Sequence, residues 1–429
     1  MTLKNHNNTF LVINGGIPLN GYVDVSGSKN ASLPILVSSI LFDKPVTISN
    51  IPDITDVGVI LDLISQIGAS VSRSNGSVTI DVKKVNNHKI NHTASSLRSS
   101  ILLVGPMLQR CGKVNIPMPG GCKIGSRLID IHLKAFKMMG AKIKTFNSSL
   151  EIITEQPLRS IEITLPIKSV GATQHIILSS VLNKGTTIIR NAAREPEIVE
   201  LCDFLNNCGA RIIGAGSNKI LVDGVKTLQP KNYRIQGDRM EAGTYAIAIA
   251  ATKGKGELRN IKSYQVPELW NLFEAIGIGI RETKNGIAIS ADNSVQSIDL
   301  TTSPYPGFPT DLQAPITALF TCAGNGKVFR VTEMVHNDRF GHVSELLKMG
   351  ADIQIKKDMV TIKSKNKLCP AVVMGTDLRA TKALIIAGLT ASGKTSVFGL
   401  EHLYRGYENI VQKLQNMGAK ITEETEQTE

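Results

Sequence analysis

The chain has 429 residues, of which 42% are hydrophobic and 20% charged, a balance typical of folded globular proteins and not of disordered or fibrous ones. Its length predicts two or three domains. The net charge is +12, from 48 basic and 36 acidic residues, which favours anionic partners. Aromatic residues make up only 4% and no dense basic stripe occurs, so anionic small molecules fit better than nucleic acid.

The N-terminus and the cysteines indicate a cytoplasmic protein. No apolar run reaches the ~18 residues of a membrane helix. The first ten residues, MTLKNHNNTF, lack the apolar core of a signal peptide. The six cysteines include no C-x-x-C pair, and His88 and His92 lie in a polar, loop-like stretch. We therefore expect no disulfide framework, no metal and no cofactor.

A repeat of about 70 residues runs through the chain from end to end. Six apolar helical stretches each end at a glycine that precedes a strand-like run: Gly68, Gly140, Gly209, Gly277, Gly350 and Gly418. A second marker, a short turn followed by β-rich residues, keeps step with the first: KPVTISNIP from Lys44, GKVNIPMP from Gly112, GTTIIRN from Gly185, GKGELRN from Gly254, GKVFRVTE from Gly326 and GKTSVFGL from Gly393. Glycine after a helix end adopts the left-handed conformation. The pattern predicts six copies of one α/β unit, which suit two domains of three with a site in the cleft between them.

One stretch imitates a phosphate-binding loop. Gly388–Thr395 (GLTASGKT) matches G-x-x-x-x-G-K-[ST], but that motif needs a strand before the loop and a helix after it. The repeat predicts the reverse order here, with Ala383–Leu389 as helix and Thr395–Phe398 as strand. We therefore interpret it as a helix-to-strand turn.

Two segments in the first half of the chain carry candidate chemistry. Lys29 stands at the start of a predicted helix in SGSKNA, poorly placed for the helix dipole but well placed to meet a bound anion. Pro117–Arg127 replaces a repeat junction with a loop rich in glycine and proline. Cys122, at its centre between basic residues, has a setting that suits a proton donor or nucleophile, and the alternative of a cysteine without a role stays open.

The second half adds a carboxylate and several arginines. Asp311 follows the turn-rich TTSPYPGFP and could serve as a base or simply cap the next helix. Arginine binds carboxylate and phosphate with two hydrogen bonds, although a lone arginine is also compatible with a surface salt bridge. The arginine candidates are Arg98, Arg239, Arg339, Arg379 in Asp377-Leu378-Arg379, and Arg405 in Tyr404-Arg405-Gly406-Tyr407.

Ten motifs occur in order over nearly the whole chain: SGSKNASLPIL, LRSSILLVGPML, PGGCKIGSR-x-x-D-x-H, SVGAT, NAAREPEIV, GDRMEAGTY, PGFPTDLQA, TEMVHNDRF, TDLRA and HLYRGYE. Together they resemble the enolpyruvyl transferase family, and within it the branch whose acceptor is UDP-N-acetylglucosamine. The resemblance implies an α/β fold, a two-domain inside-out α/β barrel built from six repeats, with helices inside and sheets outside. It also implies a first domain of residues 29–236, which carries the Cys122 loop, and a second domain of residues 1–28 plus 237–429.

The implied reaction transfers the enolpyruvyl group of phosphoenolpyruvate to the 3′-hydroxyl of UDP-N-acetylglucosamine by addition and elimination, with release of phosphate. This is the first committed step of peptidoglycan synthesis. By resemblance Cys122 protonates C3 of phosphoenolpyruvate and can form a covalent adduct with it, Asp311 is the base toward the sugar hydroxyl, and Lys29 and Arg405 neutralise phosphoenolpyruvate. The residues implied to bind substrate are Lys29, Asn30, Arg98, Arg127, Leu128, Ile129, Asp130, Ile131, Lys168, Ser169, Val170, Asp311, Val335, Arg339, Asp377, Arg379 and Arg405.

Other acceptors stay open within this resemblance. A paralogue could use another nucleotide sugar or shikimate 3-phosphate, and a binding homologue would have lost Lys29, Cys122, Asp311 or Arg405, all of which are present. We expect a monomer without nucleic-acid or membrane partners. Because Cys122 is present, the resemblance also implies inactivation by fosfomycin, an epoxide that alkylates this thiol.

Overall fold

The chain leaves one folded unit and later returns to it. A computed structural model describes residues 9–120, 129–291, 295–324, 326–336 and 339–426. Met1–Ser26 and Gly237–Glu429 belong to one compact unit, called here the split unit, and Gly27–Gln236 form the other, the continuous unit. The chain therefore crosses between units at Ser26/Gly27 and again at Gln236/Gly237.

The split unit begins with strands β1 (Thr9–Asn14) and β2 (Asn20–Asp24). The helices of the continuous unit are α1 (Lys29–Ser38), α2 (Thr55–Gln66), α3 (Val104–Cys111), α4 (Asp130–Met138), α5 (Val170–Ser180) and α6 (Pro196–Asn207), with 3₁₀ turns at Ser39–Leu41, His92–Ser96 and Arg98–Leu103. Its strands are β3 (Val46–Ser49), β4 (Ser70–Ser74), β5 (Ser77–Asp81), β6 (Lys113–Pro117), β7 (Lys142–Phe146), β8 (Ser149–Ile153), β9 (Glu162–Thr164), β10 (Thr186–Arg190), β11 (Arg211–Ile213), β12 (Lys219–Asp223) and β13 (Tyr233–Arg234).

The chain then returns to the split unit. The helices there are α7 (Arg239–Ala251), α8 (Pro267–Ala275), α9 (Gln313–Thr321), α10 (Gly341–Lys348), α11 (Leu378–Thr390), α12 (Leu400–Leu403) and α13 (Ile410–Asn416), with 3₁₀ turns at Ser263–Gln265 and Thr310–Leu312. The strands are β14 (Lys255–Arg259), β15 (Gly279–Glu282), β16 (Gly286–Ser290), β17 (Asp299–Thr301), β18 (Val328–Thr332), β19 (Asp352–Lys356), β20 (Met359–Lys363), β21 (Val372–Met374), β22 (Lys394–Phe398) and β23 (Lys420–Thr425).

The sixfold repeat is confirmed. The second marker of each repeat forms a strand: β3, β6, β10, β14, β18 and β22. The first marker is the end of an amphipathic helix, and all six predicted glycines have positive φ angles, between 78° and 106°. Helix, left-handed glycine and strand therefore follow one another in every repeat, because only glycine takes that backbone conformation without strain.

Each unit contains three small sheets, and in five of the six a parallel edge strand is followed by three antiparallel strands. In the fourth repeat, for example, β2 pairs parallel with β14, and β14, β16 and β15 then pair antiparallel. In three of these five sheets the parallel edge strand directly precedes the repeat in the chain: β9, β17 and β21. In the other two the unit closes on itself: β13 returns to β3 in the continuous unit, and β2 supplies the edge beside β14 in the split unit. The sheet of β6, β8 and β7 has the three antiparallel strands, with an isolated parallel bridge between Lys89 and Asn115 beside β6.

The sixth repeat is completed by the start of the chain. β1 lies between β22 and β23 and pairs antiparallel with both. In the other repeats this position belongs to the second strand of a hairpin, such as β5 after β4 or β20 after β19. The first strand of the chain is thus the last strand of the sixth repeat.

Buried helices occupy the centre of each unit, as expected. Every residue of α7 and of α9 is buried, and neither helix has a polar face. Strands such as β18 alternate buried and exposed residues, so one face of the sheet packs on the helices and the other faces solvent. At Gly243 in α7 a Cβ atom would lie 2.5 Å from Cδ1 of Leu312, so glycine is needed for α7 to approach the Thr310–Leu312 turn.

The stretch that imitates a phosphate-binding loop has the order that the repeat predicted. Helix α11 ends at Thr390 and strand β22 begins at Lys394, so the helix precedes the turn. The interpretation of Gly388–Thr395 as a helix-to-strand turn is therefore confirmed. Within the described residues, no helix combines the length and the apolar character that crossing a bilayer requires.

Candidate active site

In the continuous unit, most of the described candidates lie at the N-termini of three helices. Lys29 and Asn30 are the first two residues of α1, Ile129–Ile131 surround the start of α4, and Lys168–Val170 surround the start of α5. Backbone N–H groups in a first helical turn have no partner within the helix and carry partial positive charge. The predicted substrates are anions, and these are the positions that would bind them most favourably.

Local hydrogen bonds explain where two of these helices begin. The Ser28 hydroxyl accepts from the N–H of Ala31, and the Ser169 hydroxyl accepts from the N–H of Ala172. Each serine is therefore an N-cap, and α1 begins at Lys29. The predicted position of Lys29 at the start of a helix is therefore confirmed.

Lys29 has a partner that the sequence did not predict. Its Nζ lies 2.8 Å from Oδ2 of Asp56, which is buried in the first turn of α2. The Lys29 side chain is 19% exposed, so an incoming anion can reach an ammonium group that is already held in place. Nothing in the sequence pattern connected Asp56 with Lys29, which lies in a different helix.

A buried pair of histidines joins α4 to α5. Nδ1 of His132 lies 2.8 Å from Nδ1 of His175, and both side chains are buried. Burial and then the positive charge of Arg98 lower the pKa of His132 to about 4, against a smaller opposing effect of Asp130. Burial also lowers the pKa of His175, and His132 adds to that effect. Both rings are therefore neutral at pH 7, and Arg98 and Asp130 lie close enough to influence one of them.

Three candidates cannot be placed. Cys122, Arg127 and Leu128 lie outside the described residues, so the roles predicted for them stay predictions.

In the split unit, Asp311 is the centre of a cationic cluster. Oδ1 of Asp311 accepts from Nε of Arg379 at 2.6 Å and from Nη1 of Arg339 at 3.2 Å. Its backbone oxygen accepts from Nζ of Lys382 at 3.2 Å. The Asp311 side chain is 31% exposed, whereas that of Arg339 is 2% exposed. We call Asp311, Arg339, Arg379 and Lys382 the Asp311 cluster.

The cluster keeps Asp311 ionised. Burial alone would raise the pKa of the carboxyl, but Arg379, Arg339 and Lys382 outweigh it and hold the pKa of Asp311 well below its usual range. Asp311 also does not cap a helix, since neither the Thr310–Leu312 turn nor α9 has a side-chain cap. Of the two interpretations left open by the sequence, the geometry favours a reactive carboxylate.

Lys382 is a residue that sequence reasoning missed. It lies in α11, is 2% exposed, and its Nζ is 5.5 Å from the ring centre of the buried Tyr407. Burial lowers the pKa of Lys382 to about 8, although Asp311 opposes the change. The available signal was a lysine inside an otherwise apolar helical run, ATKALIIAGL.

Three further candidates belong to the split unit: Asp377, Val335 and Arg405. The Asp377 carboxylate caps α11, because Oδ1 accepts from the N–H groups of Arg379 and Ala380 at 2.6 Å and 3.2 Å. The N–H of Val335 donates to Glu333, a second residue that sequence reasoning missed. Arg405 lies between α12 and α13. The structure thus brings Asp311, Arg339 and Arg379 together and gives Asp377 a structural role, while the substrate contacts stay predictions.

Comparisons with known proteins agree with the resemblance. The EPSP synthase (3-phosphoshikimate 1-carboxyvinyltransferase) family matches residues 13–427. A UDP-N-acetylglucosamine 1-carboxyvinyltransferase of Thermotoga petrophila is 41% identical over 96% of this chain and 98% of its own length. Proteins of the same name from Geotalea uraniireducens and Coxiella burnetii are 42% and 40% identical over 96% of this chain, covering 98% and 95% of their own lengths.

Solved structures show the same fold at lower sequence identity. The enolpyruvyl transferase NikO from Streptomyces tendae has a TM-score of 0.88 at 20% identity and covers 98% of this chain and 100% of its own. An EPSP synthase from Acinetobacter baumannii has a TM-score of 0.77 at 20% identity, over 97% of this chain and 100% of its own. The chain therefore belongs to the EPSP synthase family, and it is an enzyme of the carboxyvinyltransferase class.

Proposed function

We propose that this enzyme transfers the enolpyruvyl group of phosphoenolpyruvate to the 3′-hydroxyl of UDP-N-acetylglucosamine, with release of phosphate, as the first committed step of peptidoglycan synthesis. The observation that carries the proposal is the near-full-length similarity to curated relatives that bear the name of this activity. The Asp311 cluster supports it, because it offers an ionised carboxylate among cations, as a reaction between two anionic substrates requires.

The proposed reaction has two steps that balance. In the addition, the sugar 3′-oxygen bonds to C2 of phosphoenolpyruvate, its proton passes to a base, and C3 receives a proton from an acid to become a methyl group. In the elimination, the C2–O bond to phosphate breaks, C3 loses a proton and the double bond re-forms. We assign the acid to Cys122 and the base that accepts the hydroxyl proton to Asp311.

The contacts of Asp311 suit a base whose efficiency comes from a fixed orientation of its carboxylate and not from high basicity. Arg339 and Arg379 both contact Oδ1 of its carboxylate. We assign to Oδ2 the task of accepting the proton of the sugar hydroxyl. The two guanidinium groups reduce the basicity of the carboxylate, but they also fix its orientation, and orientation contributes strongly when two reactants are held together.

The cations have a separate task. Phosphoenolpyruvate and the diphosphate of the nucleotide sugar both carry several negative charges. We propose that Lys29 and Arg405 neutralise phosphoenolpyruvate and that the helix N-termini at Ile129–Ile131 and Lys168–Val170 bind the nucleotide sugar. The ion pair of Lys29 with Asp56 supports this assignment, since it fixes the ammonium group at the start of α1.

Phosphate release from phosphoenolpyruvate tests the acceptor. We expect release with UDP-N-acetylglucosamine and none with shikimate 3-phosphate, the acceptor in the name of the family. Release with shikimate 3-phosphate alone would contradict the proposal. Release with neither would point to another nucleotide sugar, and a panel of such sugars would identify it. We further propose a monomeric, cytoplasmic enzyme, and sedimentation of the purified protein tests the monomer.

Fosfomycin tests the acid. We expect the drug to inactivate the enzyme in proportion to alkylation of Cys122, measured by intact mass. Cys122→Asp should keep some turnover, since a carboxylic acid can also donate a proton, and should resist the drug. Cys111→Ser is the matched control, since it removes an exposed thiol elsewhere in the chain, and it should leave drug sensitivity unchanged. Full sensitivity of Cys122→Asp would remove Cys122 from the mechanism.

A further inference from the structure

A buried carboxylate lies next to the Asp311 cluster and has no role in the proposed chemistry. Glu333 directly follows β18 and is only 4% exposed. Its Oε2 accepts from the hydroxyl of Thr310 at 2.7 Å. Its Oε1 accepts from the N–H groups of Val335 and His336 at 2.8 Å and 3.1 Å. One side chain therefore holds both the residue before Asp311 and the segment that contains Val335.

Two hydrogen bonds connect Arg339 to Glu333 through Thr310, and the donor of each is fixed by chemistry. Arginine has donors and no acceptor, so Nη1 of Arg339 donates to Oγ1 of Thr310, at 2.6 Å. The single hydroxyl proton of Thr310 is then directed to Oε2 of Glu333. We call Arg339, Thr310 and Glu333 the relay. Bonds that share a direction strengthen one another, and the charges at the two ends are opposite.

The relay also reaches Asp311. The same Nη1 of Arg339 that donates to Thr310 lies 3.2 Å from Oδ1 of Asp311. If Thr310 stopped accepting from Nη1, the position of this nitrogen beside the carboxylate would no longer be fixed at two points. Glu333 is thus two hydrogen bonds from the guanidinium group that helps to keep Asp311 ionised.

We infer that Glu333 is a positioning residue, which through Thr310 holds Arg339 against Asp311 and through its other oxygen holds the Val335 segment in place for the nucleotide sugar. The inference rests on the proposed function, since that function gives Asp311 and Val335 their tasks. It adds a residue that makes no substrate contact itself.

Three substitutions separate the two halves of this role. Glu333→Gln keeps the size of the side chain and an oxygen for the two N–H groups, but its NH₂ would face Thr310 and leave the hydroxyl proton without an acceptor. Thr310→Val breaks the relay at its centre with little change in volume. Thr310→Ser restores a hydroxyl and is the conservative rescue. Glu345→Gln is the matched control, since Glu345 is 8% exposed and accepts from the N–H of Met374 at 2.9 Å in the same unit.

The readouts are the steady-state constants for both substrates and the pH profile of kcat/KM. We expect Thr310→Val and Glu333→Gln to lower kcat/KM about tenfold or more, the usual effect of losing a hydrogen bond to a charged group. The acid limb of both profiles should move to higher pH, because a loosened Arg339 lets the pKa of Asp311 rise. Glu333→Gln should also raise KM for UDP-N-acetylglucosamine more than KM for phosphoenolpyruvate, because a neutral amide oxygen holds the two N–H groups of the Val335 segment more weakly than a carboxylate oxygen does. Thr310→Ser should recover most of the loss, and Glu345→Gln should leave the profile unmoved.

Two results would overturn the inference. One is a Glu333→Gln enzyme whose pH profile and KM values equal those of the wild type. The other is a Thr310→Ser enzyme as impaired as Thr310→Val, which would mean that the hydroxyl is not the connection.

Failure of the proposed function would be distinguishable. A wild type that releases no phosphate with UDP-N-acetylglucosamine would contradict the function alone. The relay would then be tested by thermal unfolding of Thr310→Val, Glu333→Gln and the double variant. If the relay exists, the double variant should be destabilised by less than the sum of the two single variants. A double variant destabilised by that full sum would overturn the inference.

Discussion

Asp311 keeps its charge because two guanidinium groups contact one of its oxygens. Asp311→Asn should therefore lower kcat by about 10²–10⁴-fold, the usual contribution of a positioned base. The protein should stay folded, with a lower melting temperature, because Arg339 and Arg379 would lose a charged partner in a partly buried setting. Steady-state kinetics and circular dichroism measure the two effects.

The control for this substitution lies on the surface of the same unit. Asp299 and Arg330 form an exposed pair between β17 and β18, with 3.3 Å between Oδ2 and Nη1. Asp299→Asn removes the same charge from an arginine but should change neither kcat nor the melting temperature noticeably. An Asp311→Asn enzyme with a wild-type rate would exclude Asp311 as the base.

At Lys382, stability and catalysis favour different side chains. Its pKa is about 8 in the folded chain against 10.5 ordinarily, so burial disfavours its charge more than Asp311 favours it. Lys382→Met should raise the melting temperature at pH 7, because burial makes the charged form of Lys382 less favourable in the folded chain than in water, while Asp311 keeps both of its arginines. The same change should lower kcat/KM, because Asp311 loses a neighbouring cation.

The pH dependence of the free energy of unfolding tests whether the buried charge of Lys382 is destabilising. Between about pH 8 and 10.5 the unfolded chain binds more protons at Lys382 than the folded chain does. The contribution of Lys382 to the free energy of unfolding therefore rises with pH in this range. Thermal melts of wild type and Lys382→Met should therefore converge as the pH rises through that window. Lys348→Met, at a helical position that is 56% exposed, should run parallel to wild type throughout. A variant less stable than wild type at pH 7 would refute this view of Lys382.

At the scale of the elements, the pair His132–His175 links the starts of α4 and α5 to acid stability. The folded pKa of His132 is about 4, below its ordinary 6.5, and that of His175 is lowered as well. Below pH 6.5 the unfolded chain therefore binds more protons, and the free energy of unfolding falls as the pH drops toward 4. His175→Asn, which keeps a polar group toward His132 without titrating, should lose less stability between pH 7.5 and pH 5.

Melting temperatures at the two pH values measure this effect. His92→Asn is the control, because His92 is an exposed histidine of the same unit and should leave the pH dependence of stability as it is in wild type. An unchanged acid response in His175→Asn would mean that the pair does not control it.

The elements were also the part of the structure that sequence predicted best. The glycine and strand markers are local: Gly68 ends a helix and β4 follows it two residues later, and the same order holds at Gly418 and β23. The side chains in and beside the Asp311 cluster that the sequence analysis missed are not local. Lys382 and Glu333 lie 71 and 22 residues from Asp311 along the chain, and packing of α11 and β18 brings them together. Periodicity reveals which face of an element is buried but not which buried polar groups meet.

At the scale of the whole molecule, the split unit should fold as a continuous chain once its ends are rejoined. Thr9 of β1 pairs with Thr425 of β23, so a short turn could connect residue 426 to residue 9 as an ordinary hairpin. A chain of residues 237–426, a turn and residues 9–26 should therefore fold by itself, as should residues 27–236. Cooperative thermal unfolding of each would confirm this. Residues 237–426 without the rejoined segment are the control and should unfold at lower temperature, because β22 and β23 lose the strand between them.

The position of β1 determines the order of events during synthesis. β1 and β2 leave the ribosome long before their partner strands β14, β22 and β23, which are among residues 255–425. The continuous unit is complete at Gln236 and can fold while translation goes on. The apolar strand TFLVIN of β1 must stay unpaired during that time, an exposed edge that favours association with other nascent chains. We therefore expect the yield of active enzyme to depend on how fast residues 237–425 are synthesised, or on a chaperone that covers β1 until they are.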